Sequence, residues 1–324
     1  MVVHISQSVA DRYREFSAEQ AHGQSPVYEK LTAEIAEDPD ICALIASLPP
    51  GNKQQPNLLL AAVRHLGGPY ETWPAFRDWL PAHRDAVRDV MLARFTQTNE
   101  PARCATLLPL LAALPQPLAL IEVGTSAGLC LHPDRYAYRY DDGPRLGESV
   151  VTFDCRTYGS APPDLPLPGR LPEIAWRAGI DLNPLDITDP EDVRWLQSLI
   201  WPGRGDRPRQ QLGAIEAVRD APRPRIVRGD LVEELAPLAA EAPDGATLVV
   251  LHTAVLTYLP LARREEFARI VRGLPGHWIS NEHHTVLPWL DAPRPPDEHL
   301  LTLALDERAV AFTAPHGQGL HWLG

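Results

Sequence analysis

Chemistry in this chain gathers where apolar runs end in polar residues. The first such place is Leu118-Ala-Leu-Ile-Glu-Val-Gly-Thr-Ser-Ala-Gly128, an apolar run closed by Glu122 and a Gly-x-x-x-Gly turn. A strand that ends this way and leads into a helix sets main-chain N–H groups beside a ligand. On that reading Gly124 leaves room for a cofactor, Gly128 lets the helix pack close to the strand, and Glu122 meets an amino group of the ligand. Ser126 stands where such turns usually carry a further glycine. The same five residues also spell Gly-x-Ser-x-Gly, a nucleophile elbow in which Ser126 attacks an acyl carbon. That chemistry needs strands and an oxyanion loop upstream, and the chain before residue 117 has neither pattern. Asp230 or Asp244 with His252, His283 or His316 nominally completes a triad, but 12 histidines make such a match cheap. An ordinary strand-to-helix turn is the third reading.

Later strand ends carry further candidates. A Rossmann-type site needs a carboxylate after its second strand to hold ribose hydroxyls. Asp181, in Gly179-Ile-Asp-Leu-Asn183, is the first candidate and Asp154 the alternative; Asp181 lies farther than about 20 residues from the glycine turn, which an insertion must explain. Asn183-Pro-Leu-Asp186 reads as a plain turn. Arg228-Gly-Asp230-Leu231 closes the third strand. In class I methyltransferases an acidic residue at that place bonds the adenine amino group and the next N–H, here that of Leu231, meets a ring nitrogen; Asp230 as a simple helix cap is the alternative. His252 ends the fourth strand, placed to act as a base, with Tyr258 about one helical turn beyond. Asn281-Glu282-His283-His284 follows the fifth strand. Glu282 joins His252 as a catalytic candidate and His283 as a substrate contact; because consecutive residues do not share a face, a metal cage would need partners elsewhere, and none is expected. In Gln97-Thr-Asn-Glu-Pro-Ala-Arg103, Asn99 reads as an N-cap, with substrate contacts by Asn99, Glu100 and Arg103 as the functional alternative.

The elements that must position these groups follow from periodicity. From residue 5 to about 115 apolar residues recur at helical spacing: Val9, Tyr13 and Phe16 share one face, and Val27, Leu31 and Ile35 another. Helices are expected at 40–48, 57–66, 74–80, 82–95 and 102–114, the second of these apolar almost all round and therefore central. From 118 the pattern changes to short apolar runs at 118–123, 174–182, 225–230, 246–252 and 277–281, separated by helices at 190–199, 207–219, 231–240 and 261–272. Such alternation implies right-handed crossovers and a parallel sheet. Residues 300–305 and 309–312, about Asp306-Glu307, read as an antiparallel hairpin. The expected class is therefore α/β: a helical N-terminal cap domain over 1–116, then a mostly parallel Rossmann-like sheet with an antiparallel C-terminal hairpin over 117–324. Residues 138–173, rich in Pro, Gly and Asp, form an irregular insertion in which 148–155 is an extra strand.

Composition narrows the function. With 324 residues, 44% of them hydrophobic, the chain has ample core. A net charge of −12 argues against a nucleic-acid binder, which needs Lys and Arg on phosphates. The four cysteines are widely spaced, suggesting neither a zinc cage nor a disulfide framework, and fit a reducing cytoplasm. The N-terminus lacks a basic segment followed by a long apolar run, and no stretch reaches about 18 apolar residues, so neither export nor membrane insertion is expected. Oligomeric state is not legible.

Several strings together resemble a bacterial family of unknown function grouped with class I methyltransferase-like folds. They are Pro56-Asn-Leu-Leu-Leu-Ala-Ala-Val, Gln97-Thr-Asn-Glu100, Glu122-Val-Gly-Thr-Ser-Ala-Gly-Leu129, Asp134-Arg-Tyr136, Asp181-Leu-Asn-Pro-Leu-Asp186, Asp192-Val-Arg-Trp195, Arg228-Gly-Asp230 and His252-Thr-Ala254. Where that family often continues with Asn-Leu after the turn, this chain has Cys130-Leu-His132. The resemblance implies a fold that binds S-adenosylmethionine at Glu122, Gly124, Ser126, Gly128, Asp181, Asp230 and Leu231, and names no substrate. The expected activity is a transferase using that cofactor on a small molecule; a serine hydrolase and a non-catalytic binding protein are the alternatives.

Overall fold

The protein is described here by a computed structural model covering residues 8–323. The reading of an N-terminus without an export signal rests largely on residues 1–7, outside the described residues. Helices α1 (Val9–Glu15), α2 (Pro26–Ala36) and α3 (Pro39–Ala46) each begin behind a capping side chain, Ser8, Ser25 and Asp38, and the last two carry proline in the first turn. After them come α4 (Pro56–His65), α5 (Trp73–Ala82) and α6 (Arg84–Ala93). The expected faces are the buried ones: Tyr13, Phe16, Leu31 and Ile35 are inside, and in α4 every residue from Leu58 to Val63 is. Helix α7 (Cys104–Ala113) then leads into the sheet.

Ten strands follow in the chain: β1 (Leu118–Val123), β2 (Ala137–Tyr140), β3 (Thr152–Tyr158), β4 (Ile174–Asp181), β5 (Arg225–Arg228), β6 (Thr247–Thr253), β7 (His277–His283), β8 (Leu301–Leu305), β9 (Arg308–Thr313) and β10 (Gly319–Trp322). Between them lie α8 (Pro190–Leu199), α9 (Arg207–Val218), α10 (Leu231–Ala239) and α11 (Leu261–Arg272). The sheet order is β2-β3-β10-β9-β8-β7-β6-β1-β4-β5. Strands β7, β6, β1, β4 and β5 are mutually parallel, and β1 is buried along its whole length, as strands covered on both faces must be. The chain lays β4 and β5 on one side of β1 and β6 and β7 on the other. The order thus reverses between β1 and β6, where open α/β sheets form ligand crevices at the carboxyl ends of their strands.

The antiparallel hairpin β8–β9 turns through Asp306 and Glu307, both at positive φ (50° and 63°), the geometry two-residue hairpins favour. Three features differ from expectation. Residues 138–173 are not merely irregular: together with Ala137 they hold β2 and β3, which widen the far edge of the sheet, β3 pairing with the unforeseen β10. No α-helix follows the glycine turn, only the 3-10 turns Leu129–Leu131 and Pro133–Arg135. Pro133 has no N–H to continue a helix, and side chains take the carbonyls a helix would use: the Tyr136 hydroxyl donates to Leu129 O (2.7 Å) and Arg177 Nε to Leu131 O (3.0 Å).

The third difference concerns α8. The chain forms two compact units, one joining the segment up to Thr98 with Ile187–Pro208, the other joining Asn99–Asp186 with Arg209 onward. The boundary read from sequence lay at 116. Helix α8, expected as a sheet crossover, belongs to the helical unit because its Trp195, Leu196 and Leu199 are its apolar face and α4 receives them. His65 meets the Trp195 ring edge-on at 5.6 Å, Trp195 Nε1 donates to Phe95 O (3.0 Å), and Arg64 donates to Ser198 O (2.9 Å). All ten strands lie in the second unit.

Candidate functional site

The glycine turn lies along the end of β4. Gly124 N–H and Thr125 N–H both donate to Ile180 O (2.8 and 3.2 Å), Ser126 N–H donates to Asp181 Oδ2 (2.8 Å), and Gly128 N–H closes back on Thr125 O (2.7 Å). These N–H groups therefore do not face a ligand, contrary to the expectation of a helix N-terminus. Gly124 (φ 71°) is required by packing as well as by φ: a Cβ there would lie 2.4 Å from Val255 Cγ2, so the space it frees is filled by Val255. At Gly128 (φ 73°) an added Cβ would meet only ordinary contacts, so its backbone conformation, not a packed helix, calls for glycine. Ser126 adopts φ 49°, strained for a residue with a side chain, and is buried.

Glu122 pairs in register with Gly179 of β4 and Leu251 of β6. Its Oε2 accepts from Thr125 Oγ1 at 2.7 Å, and Thr125 occupies the room that Gly179 leaves by lacking a side chain. Burial pushes the Glu122 carboxyl up to about 8, against the opposing effects of the Thr125 hydroxyl and the Arg103 charge, while Asp181 adds to the rise. Asp181 also accepts from Asn183 N–H on Oδ1 (2.8 Å), so its carboxylate fastens the turn to β4. Asp230 caps α10 through Val232 N–H (2.8 Å) and meets Arg263 Nη2 at 2.6 Å; Leu231 opens that helix. The capping alternative is thus present at Asp230 whatever else it binds.

The two catalytic candidates contact each other. His252 Nδ1 bonds Glu282 Oε1 (2.7 Å) and its Nε2 accepts from Trp278 Nε1–H (2.9 Å), which makes Nδ1 the protonated nitrogen. With both nitrogens engaged and no surface exposed, His252 does not fit the base expected beside a transferred group. Glu282 Oε1 also accepts from the N–H groups of Val255 and Leu256, whereas its buried Oε2 has no partner. Tyr258 is exposed on the 3-10 turn Leu256–Tyr258.

Asn99 does not cap the following turn. Its Oδ1 accepts from Leu129 N–H (2.9 Å), steadying the segment after the glycine turn, and Cys130 Sγ bonds Glu100 O (3.3 Å). Glu100 Oε2 lies 3.4 Å from His316 Nδ1. Arg103 donates from Nε to Pro315 O (2.8 Å) and from Nη1 to Thr253 O and Oγ1 (3.0 and 3.1 Å). His283 bonds Thr285 Oγ1 and Glu298 O; burial and the neighbouring His284 lower its pKa. His283, His284 and Glu298 each offer a ligand atom within 4.8 Å of the others, the third coming from the chain before β8.

Sequence reading passed over Thr125, Thr253, Asn281 and Trp278 as site residues. Thr253 and Asn281 are register partners on β6 and β7, and their signal was polarity beyond the apolar part of each strand. Among the described residues no helix is long and apolar enough to cross a membrane. None of the curated proteins matches the chain, and no solved structure does. Residues 10–322 match the family described as "Uncharacterized protein conserved in bacteria (DUF2332)", and the chain belongs to that family.

Proposed function

We propose that this member of an uncharacterised bacterial family is an S-adenosylmethionine-dependent transferase acting on a small molecule, its sheet being the Rossmann-like sheet of class I methyltransferases. The observation that carries this reading is the set of carboxylates Glu122, Asp181 and Asp230, the first two in the last residues of β1 and β4 and the third just after β5, three neighbouring parallel strands on one side of the reversal in strand order. A second feature favours this cofactor over a dinucleotide: the N–H groups of Gly124, Thr125 and Ser126 are bonded within the protein, leaving no phosphate cradle there. S-adenosylmethionine carries no phosphate. In this scheme Glu122 holds the cofactor's amino group, Asp181 its ribose hydroxyls, and Asp230 with the Leu231 N–H its adenine, while the turn from Gly124 through Ser126 to Gly128 lies beneath it.

When bound, the cofactor supplies an activated methyl group on sulfur, and the protein's share is alignment of the acceptor and removal of a proton where the acceptor carries one. Of the two residues expected for proton transfer, Glu282 keeps a free oxygen and His252 does not, so the base role falls to Glu282 with His252 as its positioning residue. Asn99, Glu100, Arg103, Tyr258 and His283 remain the candidates on the acceptor side. The acidic composition favours a small-molecule acceptor over nucleic acid, in a cytoplasmic protein. Calorimetric titration with S-adenosylmethionine and S-adenosylhomocysteine tests the reading: both are expected to bind, Glu122→Ala and Asp181→Ala should each weaken them about tenfold or more, and absence of binding by either ligand sinks it.

One observation favours the hydrolase alternative, the positive φ of Ser126, which nucleophile elbows share. Against it stands the absence of a helix after the turn. Covalent labelling of Ser126 by a fluorophosphonate would promote that reading.

A further inference from the structure

Arg103 is only 9% exposed, yet among the described residues it has no carboxylate within ion-pairing distance. A half-buried arginine in the same unit, Arg177, pairs with Asp134 at 2.5 Å, the usual arrangement for a charge largely removed from water. The acidic groups around Arg103 have other partners: Glu122 bonds Thr125, and Glu100 faces His316. Three acceptors take Arg103 Nε and Nη1, and Nη2 has no hydrogen-bond partner.

A second side chain with an unsatisfied N–H group lies on the strand next to Thr253. Asn281 has no surface exposed, its Oδ1 accepts from Thr313 Oγ1 (2.8 Å), and its Nδ2 is unsatisfied. Both residues are tied to the same two stretches of chain. Arg103 spans Thr253 and Pro315, while Asn281 is the register partner of Thr253 and bonds Thr313, two residues before Pro315. The loop between is held tightly: a Cβ on Gly317 would lie 2.1 Å from Ala102 O. Arg103, whose Nη2 bonds nothing among the described residues, and Asn281, whose buried Nδ2 is unsatisfied, are thus both anchored at the carboxyl ends of β6 and β7.

We propose that Arg103 and Asn281 form a carboxylate-binding site, a ligand carboxylate lying on the free Nη2 edge of the guanidinium and on the amide Nδ2. Two NH2 groups offer four donors, which match the lone pairs of one carboxylate; a phosphate brings more oxygens and more charge than one arginine and one amide satisfy. The carboxylate comes either from the amino-acid end of the cofactor or from an acidic acceptor. Only the first of these sources rests on the cofactor reading given above.

The test follows the Nε–H NMR signal of Arg103 in the full chain labelled with 15N-arginine, assigned by its loss in Arg103→Lys. The probes are acetate against acetamide, and S-adenosylhomocysteine against 5′-methylthioadenosine, which lacks the amino-acid carboxylate. A saturable shift with acetate but not acetamide establishes the site even if no adenosyl compound binds. A shift with S-adenosylhomocysteine but not methylthioadenosine, blocked by it against acetate, assigns the carboxylate to the cofactor; independent binding of both assigns it to the acceptor. Asn281→Asp keeps an acceptor for Thr313 but sets a negative charge at the site, and should weaken the carboxylate probe that binds about tenfold or more while leaving its neutral counterpart unchanged. Equal response to acetate and acetamide together with equal response to the two adenosyl compounds overturns the proposal, as does unchanged carboxylate affinity in Asn281→Asp.

Discussion

Glu122 shows how a single side chain couples burial to pH. Its carboxyl titrates near 8 in the folded chain and near 4.5 when unfolded, so between those values the folded state holds a proton that the unfolded state has lost. Stability must therefore fall as pH rises through that window, by at most about 1.4 kcal/mol per pH unit. Glu122→Gln should remove this slope, which urea melts at several pH values between about 5 and 8 would reveal; an unchanged slope would mean that Glu122 is ionised throughout. A ligand ammonium group beside Glu122 favours the charged form, so binding below about pH 8 should release a proton, seen as a dependence of calorimetric heat on the ionisation enthalpy of the buffer. His252 behaves differently. Removing its ring in His252→Ala leaves the Trp278 N–H without an acceptor and opens space beside Phe267, for a loss of about 3 kcal/mol in a denaturant melt. His252→Gln, which keeps a polar group, should recover part of that loss. The sequence located His252 and Glu282 at neighbouring strand ends but could not tell that they face each other. That depends on the register of β6 against β7, which no local pattern encodes.

Among the elements, the glycine turn carries the sharpest constraint. Gly124→Ala combines a left-handed backbone with a clash against Val255 and should destabilise by about 3 kcal/mol. Adding Val255→Ala should relieve the clash but not the backbone term, so the double variant is expected to be more stable than the sum of the two single losses; strict additivity in thermal melts would show that the contact is not the cause. The parallel strands β1 and β6 were legible because strands covered on both faces read as nearly unbroken apolar runs, whereas β4 and β7 showed only shorter apolar stretches between polar residues. The short strands β2 and β10, four residues each, were not, since Ala137-Tyr-Arg-Tyr140 and Gly319-Leu-His-Trp322 mix polar and apolar positions without a clear period. The helix expected after Gly128 failed for another reason. Leu129-Cys-Leu satisfies helical propensity, but Pro133 and the side chains of Tyr136 and Arg177 claim the local hydrogen bonds.

At the scale of the whole molecule, chain order and spatial membership part company at α8. Its amphipathic pattern was plain, but periodicity says only that a helix has an apolar face, not which partner covers it. Trp195→Ala should cost the helical unit about 4 kcal/mol, with hydrogen exchange rising first in α4 and α8. Unchanged protection in α4 would refute that assignment.

The place of β10 in the sheet has a bearing on synthesis. Because β10 lies between β9 and β3, residues 319–322 are, among the described residues, the only strand joining β2 and β3 to the other seven. A growing chain that has already made residues 137–158 must carry that two-stranded piece, with one edge unpaired, until some 160 further residues have left the ribosome. During that interval an exposed edge is open to pairing with other chains, and a premature stop shortly before Gly319 would make that condition permanent.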